Sequence, residues 1–464
     1  MPDDVHMHAP LTTVPFKITN PERIPSQRYY DEEFFKLENE LFWPRVWQFA
    51  CRLEEIPEVG DWVEYKNLDK SVIVVRTKSG VKAFHNACRH RGVQLASGHG
   101  SCEVQGFTCP FHGWRWNIDG QNTFVLGKHL FSDENLAAAE INLKPCRVEF
   151  WGGCAFINHD DDAAPLLECI GPSAARLDPH NVDKLKVEWW YSAIVPTNWK
   201  LAMEAFMEGY HVMRTHPQLH VTMLPGTDTY AAPMGAAPPP RINMTSKELI
   251  EHSITYMQVL SEGMAGMVHA NDIAIANDIK DKVVLPEGDP YAAVGEWYRI
   301  WQDEITKRGQ ARGVPMPDLN ALPQIAPVQF IFPHYFLLPT FGNMSSYRIR
   351  PLTAETCLFE IWSLVLYPED EKRERPIAPV PLRHDDPSFP PIPQQDYSNL
   401  PLQQLGLHAG GFEYMRLSRN IEGMISNYQR TLDGFLGGVP DDKLVKAVQI
   451  AAGGMDDPIM DIGF

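Results

Sequence analysis

The fold is decided by two segments, Asn86-Ala-Cys88-Arg-His90-Arg-Gly92 and Cys109-Pro-Phe-His112-Gly-Trp114. Eighteen residues separate the histidine of the first segment from the cysteine of the second. Each segment contains one cysteine, one histidine and a glycine, a composition typical of a tight loop. Because a tight loop turns both side chains the same way, the two segments predict one small metal site with four ligands.

Two kinds of metal site fit Cys88, His90, Cys109 and His112. A structural zinc site with two cysteines and two histidines usually takes both cysteines from one turn and both histidines from a helix. Here each segment supplies one of each, which favours a Rieske [2Fe–2S] cluster with a cysteine pair on one iron and a histidine pair on the other. A zinc ribbon is the alternative that the spacing leaves open.

Short β runs surround the two segments between Val46 and about residue 159. They cover residues 61–65, 71–76, 81–84, 107–108, 114–116, 146–150 and 154–158. Turn signals such as Ser79-Gly80, Asp119-Gly120 and Gly152-Gly153 separate them, as in an antiparallel sandwich. The metal segments therefore fall on loops at the tip of a β domain, where a cluster can approach another protein or subunit.

The composition limits the classes of function. The chain has 464 residues, of which 44% are hydrophobic and 22% charged, so two or three globular domains are expected. A formal net charge of −18 argues against a nucleic acid or an anionic membrane as partner. No apolar run reaches the roughly eighteen residues of a membrane helix, and the N-terminus lacks a signal-peptide pattern. With eight cysteines expected to stay thiols, a cytoplasmic protein is predicted.

The remaining pattern predicts three regions. Residues 1–44 form a proline-rich arm and an amphipathic helix from Tyr30 to Trp43, capped by Asp31 and expected to pack on the next domain. Residues 45–165 form the all-β domain. Residues 166–464 form a larger domain whose strands, near 186–195, 328–339, 344–351 and 357–367, are covered by helices near 198–211, 246–269, 290–309 and 412–435. The predicted fold class is α+β, with a helix-covered antiparallel sheet in the second domain.

A second set of metal-ligand types lies between residues 198 and 217. On a continuous helix Glu208 and His211 would share a face, because their positions around the helix axis would be only about 60° apart. Pro217 disfavours helix at the residue before it, so His216 is expected on a turned segment that folds back toward His211. Two imidazoles and a carboxylate leave metal positions open, as in non-haem Fe(II) oxygenases. Taken alone, histidines at this spacing are more often ordinary core or surface residues.

The two motifs together resemble a known family. Residues 86–120 are similar to the cluster-binding segment of Rieske non-haem iron oxygenase α subunits, although the eighteen-residue gap is slightly longer than usual. Asn198-Trp-Lys followed by Glu-x-x-His-x4-His-Pro resembles the catalytic helix of that family, which implies that His211 and His216 bind a mononuclear Fe(II). Glu208 stands where the family more commonly has aspartate. A glutamate there resembles the carnitine and glycine-betaine oxygenases, whose α subunits assemble without a β subunit.

The resemblance implies a third, acidic iron ligand far along the chain. The candidates are Asp385, Asp386, Asp396 and Asp433. Asp396 is preferred, because the family places an acidic residue shortly before a Gln-x-Gly segment such as Gln404-Leu-Gly406.

The resemblance also implies partners. An NAD(P)H-dependent reductase, with or without a ferredoxin, would reduce the cluster of one chain in a homotrimer. The electron would pass from a cluster histidine, His90 or His112, to Glu208 of the adjacent subunit and then to its iron. The reaction implied is mono- or dihydroxylation of a small substrate with O2.

An aromatic or polycyclic hydrophobic substrate is preferred, because methionines and aromatic residues near the second motif could line an apolar pocket. These residues are Met203, Phe206, Met207, Met213, Met223, Met257, Met264 and Met267. The alternative is a quaternary ammonium or N-/O-methyl substrate, for which Trp297, Tyr298 and Trp301 could supply an aromatic cage. A Rieske electron carrier without oxygenase activity is the alternative from another class.

Overall fold

The computed structural model describes residues 13–102, 104–222, 243–264, 266–284, 286–455 and 457–464. Its first part is mostly strand. In chain order the elements are β1 (Arg23–Pro25), α1 (Glu32–Leu37), β2 (Gln48–Arg52), β3 (Asp61–Asn67), β4 (Lys70–Thr77), β5 (Gly80–His85), β6 (His99–Ser101), β7 (Phe107–Thr108), β8 (Arg115–Trp116), β9 (Asn122–Phe124), α2 (Ala138–Ile141), β10 (Pro145–Trp151), β11 (Cys154–Asn158) and α3 (Leu166–Leu177).

The second part alternates strands with longer helices. Its elements are β12 (Lys186–Val195), α4 (Trp199–Glu204), α5 (Val212–Thr215), α6 (Pro217–Thr222), α7 (Ser246–Gly263), α8 (Ala270–Ile279), α9 (Pro290–Ala311), β13 (Gln329–Ile331), β14 (Tyr335–Thr340), β15 (Asn343–Thr353), β16 (Thr356–Val365), β17 (Val380–Arg383), α10 (Pro391–Leu407), β18 (Tyr414–Arg416), α11 (Gly423–Leu436) and α12 (Asp441–Ala451). None of these helices has the length and apolar character needed to cross a bilayer.

The first part forms the antiparallel β architecture that the alternating runs predict. Seven strands pair in the order β2-β11-β10-β5-β4-β3-β6, and β7, β8 and β9 form a separate three-stranded sheet. Along β3 the burial alternates between successive residues, as expected for a sheet with one covered face. The first metal segment follows β5, and the second connects β7 to β8, so both lie on loops.

The second part is built on a six-stranded sheet in the order β13-β14-β15-β16-β12-β17. The α+β class is confirmed, with one departure from a purely antiparallel sheet. Edge strand β17 runs parallel to β12, with Tyr191 opposite Val380. The chain reaches β17 through a proline-containing connection after β16 rather than through a hairpin, so the parallel direction is accessible.

The N-terminal prediction is partly wrong. Residues 1–12 lie outside the described part of the chain. Residues 13–27 of the predicted arm pack on the rest of the chain, because Val14 and Ile18 are buried and β1 pairs with β18. Asp31 caps α1 as expected, with its side chain accepting the N–H of Phe34 at 2.8 Å.

The helical segment after Asp31 also packs on a different partner than predicted. Past α1 the chain continues as a π-helical turn, Glu38–Phe42. The Phe42 ring lies 6.0 Å from Trp199 of α4 and 5.4 Å from Phe435 of α11, within the core of the second part of the chain. Glu38 pairs there with the buried Lys200, so both charge pairing and ring packing place the segment against α4.

A buried arginine joins the two sheets. Arg348 on β15 donates to both carboxylate oxygens of Glu360 on β16, at 2.7 and 2.8 Å. Its other terminal nitrogen donates to the carbonyls of Phe49 and Ala50 in β2, at 3.1 and 2.6 Å. Both charged side chains are buried, so this pair holds the seven-stranded sheet against the six-stranded one.

Replacing Arg348 by Met is expected to destabilise the protein strongly. The change leaves the Glu360 carboxylate buried with its main partner gone, and a broken buried pair costs about 3–5 kcal/mol. The free energy of unfolding in guanidinium chloride measures the loss. Arg373→Met is the matched control, because Arg373 pairs with Glu371 at the surface, where such pairs contribute about 1 kcal/mol or less. Equal losses in the two variants would contradict this role.

Candidate metal centres

The two Cys/His loops have the same backbone geometry. In the first, the Cys88 carbonyl accepts the N–H of Gly92 at 2.9 Å, and the Cys88 N–H donates to Val93. In the second, the Cys109 carbonyl accepts the N–H of Gly113 at 3.0 Å, and the Cys109 N–H donates to Trp114. Both glycines have positive φ, +76° and +70°, which a residue with a side chain rarely adopts. The glycines therefore permit two equivalent loops.

The loops bring their four donor side chains together. The Nδ1 atoms of His90 and His112 lie 3.2 Å apart, and the thiols of Cys88 and Cys109 are buried beside each other. The His90 ring stacks on Trp114, with 5.0 Å between ring centres and 7° between planes. Two sulfurs grouped together and two imidazole nitrogens turned toward each other fit the division of ligands in a Rieske cluster.

Backbone N–H groups also point at the two sulfurs. Burial raises the pKa of Cys88, although the N–H groups of His90 and Arg91 act in the opposite direction. At Cys109 burial is outweighed, and the N–H groups of His112 and Phe111 lower the thiol pKa. Such donors stabilise negative charge on sulfur, which a thiolate-bound cluster requires.

The second motif does not form the continuous helix that its period predicts. Helix α4 starts at the Asn198 cap but ends at Glu204, and α5 starts only after His211. Between the two helices the Glu208 carboxylate accepts the backbone N–H of His211 at 2.9 Å. His216 lies between α5 and α6 with φ −119° and ψ 62°, as the proline after it predicts.

The break brings three donor groups to one place. His216 Nε2 lies 3.1 Å from Asp396 Oδ1, and His211 Nε2 lies 3.8 Å from the same oxygen. The donor atoms of all three residues are within 4.8 Å of one another. Each histidine uses its other nitrogen for orientation, with Nδ1 of His211 on Glu208 and Nδ1 of His216 on Gln395, both at 2.7 Å. The Nε2 atoms therefore face a common centre, the arrangement typical of metal-binding imidazoles.

The electrostatics of His211 favour a cation. Burial alone would lower the pKa of His211, but the hydrogen bond and charge of Glu208, together with the charge of Asp396, raise it. The same negative charges that stabilise an imidazolium would stabilise a bound metal ion.

Gln395 is a residue of this centre that the sequence analysis missed. It lies next to Asp396 on α10, and its carbonyl oxygen faces both His216 and the side-chain amide of Gln218. The only signal in the sequence was its position beside Asp396, because a glutamine in a polar helix has no ligand-type chemistry of its own.

The other candidate aspartates lie elsewhere and have other partners. Asp433 is buried against Arg28 and accepts the N–H of Ile18 at 3.0 Å. Asp385 pairs with Arg383 at the surface, and Asp386 accepts the N–H of Ser388. Among the four candidates, Asp396 is the one placed with the two histidines.

A cavity of about 330 Å³ adjoins the His211 side of the centre. Its acidic lining includes Glu204, Glu208 and Asp396. Glu204 was not singled out in the sequence. It is buried, accepts a hydrogen bond from Tyr29 at 2.9 Å, and burial raises its pKa to about 7.

An aromatic wall lies beside Asp396. The ring centres of Phe206 and Tyr347 lie 4.6 Å apart. The ring centres of Phe359 and Tyr397, the residue after Asp396, lie 4.9 Å apart. Burial first, and the charge of Asp396 to a smaller degree, raise the pKa of Tyr397. We name Phe206, Tyr347, Phe359 and Tyr397 the aromatic wall.

The other predicted substrate residues are placed differently. Met203 and Met207 are fully buried in the core, and Met223 lies outside the described residues. Trp297 and Trp301 stack at 5.3 Å and are fully buried among helices α7 to α9, with Tyr298 partly buried beside them. These rings pack the helical layer and form no cage open to a ligand.

Comparisons with known proteins identify the two parts of the chain. Residues 46–125 match the family model of the Rieske [2Fe–2S] domain, and residues 182–438 match that of the ring-hydroxylating α subunit catalytic domain. A 2-aminobenzenesulfonate 2,3-dioxygenase α subunit from an Alcaligenes species is 32% identical over 42% of this chain and 50% of its own length. The glycine betaine monooxygenase oxygenase subunit of Chromohalobacter salexigens is 32% identical over 44% of this chain and 46% of its own. The matches thus span about half the length of these relatives.

Solved structures share the fold over most of the chain. A quaternary ammonium Rieske monooxygenase, studied for carnitine oxidation and inter-subunit electron transfer, aligns with a TM-score of 0.57 at 16% identity, covering 90% of this chain and 96% of that one. Naphthalene 1,2-dioxygenase with indole bound aligns with a TM-score of 0.55 at 20% identity, and the alignment covers 92% of this chain and 97% of that one. At these identities the likeness is one of fold.

Proposed function

Since this chain belongs to the ring-hydroxylating α-subunit family, with a Rieske [2Fe–2S] domain and a catalytic domain that uses mononuclear iron, we propose that it is a terminal oxygenase. It would hydroxylate a hydrophobic, aromatic or polycyclic substrate with O2 and electrons from a reductase. The observation that carries this proposal is the convergence of His211, His216 and Asp396 beside an aromatic wall. The match to the catalytic domain argues against a simple electron carrier, and the match to the Rieske domain argues against a zinc ribbon.

We assign Cys88, His90, Cys109 and His112 as the cluster ligands. We assign His211, His216 and Asp396 as the iron ligands. When bound, the iron supplies the position at which dioxygen is activated. The protein's own contribution is to hold both Nε2 atoms toward the centre, through Glu208 and Gln395, and to exclude water with the aromatic wall. The region boundaries at residues 44 and 165 belong to the same proposal. At residue 165 the boundary falls between the end of β11 at Asn158 and the start of α3 at Leu166.

Glu208 is proposed to connect the iron centre to an electron donor in a neighbouring subunit. One of its oxygens binds Nδ1 of His211, and the residue lines the cavity beside the centre. A cluster histidine from the next chain of a homotrimer would enter this cavity. The first electrons would come from an NAD(P)H-dependent reductase, directly or through a ferredoxin, in the cytoplasm.

Replacing Glu208 by Gln is expected to lower turnover by about 10- to 100-fold, the usual effect of losing a group that orients a metal-binding histidine. The amide can still accept from His211, so iron content should persist while the negative charge is lost. Iron analysis and single-turnover oxidation of the reduced cluster measure the two effects separately. Glu413→Gln, at an exposed glutamate, is the control. Normal cluster oxidation in Glu208→Gln would contradict the role.

The proposed substrate class rests on Phe206. Tyr347, Phe359 and Tyr397 are buried in the core, whereas Phe206 is only partly buried, and an aromatic ring at a binding site suits planar hydrophobic molecules. The reduced protein should therefore consume oxygen and form a hydroxylated product with aromatic acids or polycyclic hydrocarbons. Phe206→Ala should raise KM for such a substrate more than it lowers kcat. Uptake of 18O from 18O2 into the product distinguishes oxygenation from uncoupled oxygen reduction.

A quaternary ammonium substrate is the second candidate. Glu208 is shared with the oxygenases of that subgroup, and a glycine betaine monooxygenase subunit is among the relatives. The partly buried Phe206 ring could also face a trimethylammonium group by cation–π contact. Oxygen uptake with glycine betaine or carnitine, and none with aromatic acids, would decide for this candidate.

A further inference from the structure

A third cluster of metal-ligand types is formed by residues that belong to neither centre. His85, Cys146 and His159 each offer one donor atom, and these atoms lie within 4.8 Å of one another. None of the three belongs to the Cys/His loops or to the histidine and aspartate centre. The sequence analysis expected Cys146, like the other cysteines, to stay a thiol and did not single out either histidine.

Three neighbouring strands hold this cluster. His85 ends β5, Cys146 lies at the start of β10, and His159 follows the last residue of β11. These strands are adjacent in the sheet order β11-β10-β5, and the N–H of His85 donates to Lys144 at 3.0 Å. Donors placed at the same end of three paired strands are pre-positioned, so little chain movement is needed to bring them onto one ion.

The imidazole rings of His85 and His159 have no hydrogen-bond partner among the described residues. The rings face each other at 5.5 Å. Other histidines differ, since His334 accepts the N–H of Phe49 and His216 is held by Gln395. Two half-buried rings without other partners beside a buried thiol are better explained by a shared ligand than by packing.

We propose that His85, Cys146 and His159 form a binding site for a divalent ion of the zinc type. One thiolate and two imidazoles are ligands for borderline metals, whereas calcium and magnesium prefer oxygen. The fourth position is open to water. On binding, the S–H bond of Cys146 breaks, its proton leaves to solvent, and a sulfur–metal bond forms, with no change of oxidation state.

In the free site the His159 ring is neutral, and the Cys146 thiol is protonated and donates to the Asn158 carbonyl at 3.3 Å. Burial lowers the pKa of His159 to about 4, with further contributions from His85 and Lys70, so the ring is neutral and able to bind a metal. Burial raises the pKa of the Cys146 thiol to about 12, and the charge of Asp161 adds to the effect. A divalent ion would favour the thiolate, and the nearby Asp161 carboxylate would balance the remaining positive charge.

Zinc binding by four forms of the iron-loaded protein tests the site. Wild type, Cys146→Ser, His159→Gln and Cys169→Ser are incubated with Zn²⁺, freed of unbound metal, and analysed by mass spectrometry. Cys169→Ser is the matched control, because burial raises the pKa of that half-buried thiol to about 12 as well. Wild type and the control should hold about one more zinc per chain than the other two variants. Equal zinc in all four proteins would overturn the proposal.

A second measurement covers the case in which a variant fails to fold. The visible spectrum of the cluster reports on folding of the domain in each variant. Crystals of the wild type soaked in Zn²⁺ should show anomalous scattering at the zinc edge among the three donor atoms. Anomalous peaks only at other positions, or none, would refute the site.

Discussion

Replacing His211 by Ala is expected to abolish product formation and to leave the cluster unchanged. The variant removes one of three donors within 4.8 Å of one another and frees Glu208 from its Nδ1 contact. Iron should fall from about three to about two atoms per chain, because a Rieske cluster holds two and the mononuclear centre one. Iron analysis, the visible spectrum and product quantification give the three readings.

Two aspartate variants provide the matched comparison for His211→Ala. Asp396→Asn should lose the same iron atom, since its carboxylate lies 3.1 Å from His216 Nε2. Asp385→Asn should keep it, because Asp385 is a surface residue paired with Arg383. Turnover that survives in His211→Ala, or iron loss in Asp385→Asn alone, would show that the iron ligands are assigned wrongly.

Replacing Cys109 by Ser is expected to remove the cluster and all reductase-driven turnover. Hydroxyl is a poor substitute for thiolate on iron, and Cys109 sits where two backbone N–H groups lower its pKa. The visible absorption of the cluster should vanish, and about one iron atom per chain should remain at the other centre. Cys51→Ser, at a buried thiol of the same β region, should keep both the colour and the activity.

Co-expression of Cys109→Ser with His211→Ala tests whether electrons cross between chains. If the cluster of one chain serves the iron of the next in a closed trimer, about a quarter of the sites should combine an intact iron with an intact neighbouring cluster. Activity should then return from two inactive proteins. No recovery in verified mixed trimers would mean that transfer stays within one chain.

The local motifs were readable because their chemistry is carried by close sequence neighbours. The Cys/His loops depend on glycines that permit positive φ, and Pro217 directs His216 out of the helix. The antiparallel pairing of the β region likewise follows from alternation and turn residues. The continuous helix predicted through Glu208 was wrong, because α4 ends at Glu204 and α5 starts only after His211.

The sequence by itself determined the two kinds of metal chemistry, the order of the two regions and the α+β class, because ligand types and strand alternation are properties of short segments. Only the tertiary structure decided which residues far apart in the chain come together. Asp396 lies with the histidines while Asp433 binds Arg28, and the N-terminal segment packs on α4 and α11. Contacts between residues far apart in the chain depend on how whole elements pack, and no local pattern encodes that packing.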